Sequence, residues 1–170
     1  MKFENAVSQH QLKKLWHGSA KTGSDNLTSN YIVDACIVVK WLLPGESYQE
    51  NADRLKEDIK YSKTEMFAPS FMTQEVANAL WAAIKLGRIT QEDAQKALSN
   101  SDELQINLYD FNWTEASGEL AIACRLDLTI YDAAYLFLSE KMNSQLITAD
   151  DKMYKKAKGH FKVLHLKDYV

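Results

Sequence analysis

From Tyr31 onward, short and continuously apolar runs alternate with longer stretches of helical spacing, and this alternation constrains the fold more than any other feature. The runs are residues 31–33 (YIV), 66–68 (MFA), 106–108 (INL), 145–148 (QLIT) and 162–166 (KVLHL). Between them, helical patterns cover 48–59, 71–86, 91–99, 115–125, 131–142 and 152–157. A strand with one wet face alternates apolar and polar residues. These runs do not, so each belongs in a sheet buried on both faces, which is the signature of parallel strands covered by helices. The pattern predicts a three-layer α/β/α sandwich around a central, mostly parallel sheet of four or five strands.

Residues 1–30 are different in kind. They are rich in Ser, Asn, Lys and Gln, with apolar residues scattered at Phe3, Val7, Leu12, Leu15 and Trp16, and the segment SAKTGSDNLTSN has no period. We read them as an N-terminal extension, either flexible or artificial, and residues 31–170 as one domain. With 46% apolar and 25% charged residues, a chain of 170 can build its core without staples. Cys36 and Cys124 are therefore expected as small buried hydrophobes rather than a disulfide. No apolar run approaches the roughly 20 residues needed to span a bilayer and the start lacks a secretory core, so a cytoplasmic protein is expected.

Net charge is −3, which excludes binding of nucleic acid by bulk electrostatics, although residues 141–170 carry 7 basic and 3 acidic side chains. Phosphate-cradling loops of the GxGxxG or GxxxxGK[ST] kind are absent from the sequence. Gly87 after Leu86, and Thr90 before Glu92 and Asp93, predict a helix stop and a helix start, hence a helical hairpin.

Four carboxylates stand out by position. Asp34 directly follows the first run, at the carboxyl edge of a strand where α/β sheets bind ligands, although it could equally cap a short helix from Ala35. Asp150 ends LITAD in the same way, beside the Thr148 hydroxyl, and either Asp150 or Asp151 could cap the following helix. Asp132 in TIYDAAYLFL has capping-box spacing with Thr129, at the head of a helix apolar nearly all round. Glu75 shares a helix stripe with Asn78, spaced i, i+3. Taken singly, each has an ordinary structural explanation. Gathered at one sheet edge they would repel, since two unit charges about 5 Å apart cost about 3 kcal/mol at an effective dielectric of about 20. Oxygen ligands without His or Cys support select Mg²⁺ or Mn²⁺.

The stretches VDACIVVKWLLPGE, APSFMTQEVANALWAAIKLGRIT and LDLTIYDAAYLFLSEKMNSQLITADDKM resemble PIN-domain ribonucleases of the VapC toxin type, over about residues 31–166. The resemblance implies that Asp34, Glu75, Asp132 and Asp150 form an acidic pocket for Mg²⁺ or Mn²⁺. Cys36, Asn78, Thr148 and Asp151 would stand behind them. Family members often carry Ser, Thr or Asn where Cys36 stands, so a weaker hydrogen bond is expected beside Asp34.

The implied activity is metal-assisted hydrolysis of RNA, with Lys40, Lys85, Arg88, Arg125, Lys152, Lys155, Lys156 and Lys158 as candidates to hold the strand. It also implies a protein antitoxin and a homodimer. Leu80, Ile84 and Leu86 on one hairpin helix, and Ala94, Ala97 and Leu98 on the other, are expected to leave a sticky surface. Trp41 and Trp81 are expected in the core or a dimer contact. Two rival functions remain: a non-cleaving RNA-binding or protein-interaction module, and a hydrolase of small phosphoesters.

Overall fold

The computed structural model describes residues 30–62 and 64–170; the extension over residues 1–29 lies outside the described residues. Five strands form one sheet in the order β3-β2-β1-β4-β5, and every pairing is parallel. They are β1 (Tyr31–Val33), β2 (Met66–Pro69), β3 (Ile106–Tyr109), β4 (Gln145–Thr148) and β5 (Val163–His165). Among the described residues seven α-helices connect them: α1 (Ala35–Leu42), α2 (Gln49–Ser62), α3 (Met72–Lys85), α4 (Gln91–Ser99), α5 (Trp113–Leu126), α6 (Ile130–Lys141) and α7 (Asp151–Ala157). This is the α/β/α sandwich expected from the apolar runs.

Continuous strand hydrophobicity has the predicted cause. Ile32, Val33, Leu146 and Ile147 in β1 and β4 are fully buried, because helices cover both faces. The edge strand β3 presents Asn107 and Leu108 to solvent and contributes less to the core. Helix α6 packs directly against β1, β2 and β4, which explains why its sequence is apolar nearly all round.

Local signals account for most element ends. Gly87 adopts φ +70° after α3, and Thr90 caps α4 by accepting from the Asp93 N–H, so the α3–α4 hairpin forms as its sequence predicts. The stretch after Asp34 is a full helix, α1, whose Ile37 and Val38 are buried. Two expectations fail. Cys124 is exposed on the outer side of α5, and of the apolar hairpin residues Leu80 and Ala94 are buried within the domain, so the sticky face narrows to Leu86 beside the half-buried Ile84, Ala97 and Leu98. What the hairpin does expose is Trp81 and Leu86, so Trp81 is no core residue. Trp41 is half-buried and its indole N–H donates to the Ala52 carbonyl at 2.7 Å. No helix among the described residues is long and apolar enough to cross a membrane.

Candidate active site

The sheet reverses its winding between β1 and β4, and in such sheets the crevice beyond the carboxyl ends at that reversal is where ligands sit. Asp34 leaves β1 into this crevice. Register pairs Val33 with Ile147, and the Asp34 N–H donates to the Ile147 carbonyl at 3.1 Å, so the next residues on the two strands, Asp34 and Thr148, become neighbours. The fully buried Thr148 hydroxyl donates to Asp34 Oδ2 at 2.5 Å and accepts from the Asp150 N–H at 2.9 Å. One hydroxyl thus ties together the loops that carry two of the acids. Asp34 Oδ1 caps α1 by accepting from the Cys36 N–H at 3.1 Å. The Cys36 thiol lies 3.8 Å from the Thr148 hydroxyl and accepts from the Ala149 N–H.

Glu75 sits in the first turn of α3, half-buried, and accepts from the Tyr135 hydroxyl at 2.7 Å. Tyr135 is buried on α6 and escaped the sequence reasoning. Its signal was present in YDAAY, where Asp132 and Tyr135 are spaced i, i+3 and so share a helix face. Asp132 completes the capping box with Thr129, its carboxylate accepting from the Thr129 N–H. Asp150 is exposed and caps α7 through the Met153 N–H at 2.8 Å. Asp151 points elsewhere, 3.5 Å from Nε2 of the buried His165 on β5. Asn78 is exposed one turn past Glu75 and its side chain makes no hydrogen bond among the described residues.

Electrostatics connects acids that hydrogen bonds do not. Burial pushes the Asp34 carboxyl above its ordinary range, the Thr148 and Cys36 donors pull it back, and the Asp150 charge adds to the rise. Burial also raises Glu75; the Tyr135 hydroxyl opposes this, while Asp34 and Asp132 reinforce it. Tyr135, raised by burial and by Asp34 and Glu75, is a permanent donor. Burial likewise holds the Cys36 thiol neutral, which removes it as a nucleophile. Pairwise repulsion thus links Asp150 to Asp34, Asp34 to Glu75 and Glu75 to Asp132.

As the side chains lie, no group of three or more His, Cys, Asp or Glu residues among those described is arranged to hold a metal ion. Asp132 and Asp150 each accept from an N–H at their own helix end. By chemistry the donors do fit a hard divalent cation, being carboxylate oxygens whose shared repulsion such an ion would relieve.

The basic candidates divide. Lys40 is buried beside Ser47 and Glu46, and Arg88 pairs with Glu46 at 2.7 Å, so neither is free to grip a strand. Lys156 pairs with Asp127 at 2.6 Å and ties α7 to the α5–α6 turn. Lys85, Arg125 and Lys158 lie over the rings of Trp81, Phe161 and Tyr154. Lys152 and Lys155 are exposed on α7.

A doubly wound parallel sheet with the buried Asp34 at its switch point, and with Asp150 and Glu75 within reach of that charge, defines an acidic-crevice α/β domain. The chain belongs to the PIN domain family, whose pattern matches residues 31–159. Ribonuclease VapC3 of Pyrobaculum aerophilum is 29% identical over 126 residues, spanning 74% of this chain and 92% of that protein. The crystal structure of PAE2754 from the same organism superposes with a TM-score of 0.59 at 22% identity, covering 83% of this chain and 92% of the other. A toxin-antitoxin complex from Klebsiella pneumoniae gives 0.53 at 18% identity, covering 80% and 97%. At these identities the two structures speak for the fold alone.

Proposed function

We propose that this chain is a divalent-metal-dependent ribonuclease and the toxin of a toxin-antitoxin pair, working in the cytoplasm with Asp34, Glu75, Asp132 and Asp150 as its metal-site acids. The observation that carries the proposal is Asp34: a carboxylate only 8% exposed, at the switch point, whose ionisation the Asp150 charge opposes and whose own charge acts in turn on Glu75. Family membership and the name of the VapC3 relative support the ribonuclease reading, and the Klebsiella complex supports an antitoxin. When bound, Mg²⁺ or Mn²⁺ supplies charge neutralisation at the scissile phosphate and acidifies an attacking water.

The residues have separable tasks. Thr148 and the Cys36 N–H fix both oxygens of Asp34, so this ligand is oriented before any cation arrives. Tyr135 does the same for one oxygen of Glu75. Asp132 and Asp150 are the adjustable members, since each can trade a capping bond for an ion. We place the homodimer contact on the exposed Trp81 and Leu86 of the α3–α4 hairpin.

Mn²⁺ is expected to raise the melting temperature of the full chain by about 5–10 °C at 100 times its Kd, from about 2.7 kcal/mol of linked stabilisation. It should also switch on cleavage of RNA, reversibly by chelation. Cleavage that persists under chelation rejects the metal; turnover of a small phosphoester in preference to RNA at equal metal favours the rival hydrolase; metal and RNA binding without cleavage favours the binding module. We further propose that the domain begins at Tyr31. Deletion of residues 1–29 is then expected to leave cleavage unchanged and to alter stability by less than about 1 kcal/mol, read by thermal melts.

A further inference from the structure

Tyr131 immediately precedes Asp132, yet its side chain is 55% exposed and its hydroxyl has no partner among the described residues. Its ring is nonetheless fixed: the edge-to-face contact with Phe71 has a centroid distance of 5.1 Å and an interplanar angle of 70°. Phe71 in turn meets Tyr135 at 5.9 Å, and Tyr135 holds Glu75, so one aromatic series runs from the protein surface to the half-buried acid. Ile130, 39% exposed, extends the apolar surface beside it.

Single exposed aromatics are common and usually carry no function. Here the surroundings give this one a task. An RNA strand entering the crevice meets four carboxylates, while Lys40 and Arg88 are committed to Glu46 and Lys156 to Asp127. Lys152 and Lys155 stay exposed on α7, which Asp150 caps, and stacking on a ring would add a grip on the nucleotide that needs no charge.

We propose that Tyr131, braced by Phe71, is a base-stacking platform on the lip of the site, taking the face of one unpaired nucleotide of the bound strand. A base within a duplex has both faces covered and cannot use the platform. This rests on the ribonuclease reading, but its test does not depend on cleavage.

The full chain carrying Asp34→Asn is titrated against a ten-nucleotide unstructured RNA containing one 2-aminopurine, whose fluorescence is quenched when it stacks. At one position of the probe quenching is expected on binding. Adding Tyr131→Ala should abolish that quenching and weaken binding by about 5-fold to 100-fold, whereas Tyr131→Phe should keep both. A perfectly paired duplex of the same sequence should compete poorly. Tyr131→Ala that quenches and binds like its parent overturns the platform, as does a duplex that competes equally, or a loss of dimer mass in sedimentation that accounts for the weaker binding. Quenching that depends on Tyr131 in a protein whose wild type cuts no RNA would uphold the platform and reject the nuclease instead.

Discussion

Asp34→Asn is expected to lower RNA cleavage by at least about 100-fold, a loss typical of deleting one preorganised charged group, while making the metal-free domain more heat-stable at neutral pH. The two effects have opposite sign because the same burial causes both. The carboxyl is pushed above its ordinary value, so the folded state favours the protonated form more than the unfolded chain does. Stability from such a group is complete below the unfolded value of about 3.9 and is lost as pH rises through the higher folded value. Asparagine resembles the protonated form: its side-chain oxygen can still accept from the Cys36 N–H, and the Thr148 hydroxyl can rotate to meet its amide. The melting-temperature advantage of Asp34→Asn should therefore be near zero at about pH 3 and grow toward pH 7. Melts across this range and cleavage assays on the same preparations check it. A variant less stable than wild type at pH 7 would show that Asp34 is structural, and equal cleavage by both would trace the activity to a contaminant.

Thr148→Val is expected to cost roughly 2–3 kcal/mol, lowering the melting temperature by about 5–10 °C. Valine has the same shape, so no cavity opens at this fully buried position and the loss reports the hydroxyl alone. Removing it leaves Asp34 Oδ2 without its donor and the Asp150 N–H without its acceptor. Because that donor favours the charged form of Asp34, the destabilisation should increase with pH. It should also shrink by about 1 kcal/mol or more in an Asp34→Asn background, since the two side chains act as one unit. Cleavage is expected to fall about tenfold through the mispositioned acid, with Thr148→Ser restoring it. Identical costs in both backgrounds would mean that the hydroxyl does not work through Asp34.

Which parts of the site could be read in advance follows from how local their causes are. Asp34, Asp132 and Asp150 were legible because each stands where a strand ends or a helix begins, and such ends are written in neighbouring residues. Their capping bonds were legible for the same reason: Thr129 with Asp132 and Asp150 with Met153 are contacts within three positions. Glu75 was ambiguous, since a glutamate in a first helical turn has the same local signature whether solvated or half-buried. Its bond to Tyr135, sixty residues away, is what takes it out of solvent. Lys40 misled for the mirror reason: nothing local marks a lysine that the fold will bury beside Glu46.

The sequence by itself determined the layered α/β architecture, the order of strands and helices, and the edge of the sheet where the acids emerge, because side-chain periodicity and turn chemistry act over a few residues. Only the tertiary structure decided that β1 and β4 are neighbours in register, so that a threonine 114 positions away orients Asp34. It alone set Asp150 rather than Asp151 within the field of Asp34, and left Tyr131 in water while burying Tyr135 from the same helix. Strand pairing, charge fields and burial depend on distances between segments far apart in the chain, and no local pattern encodes them.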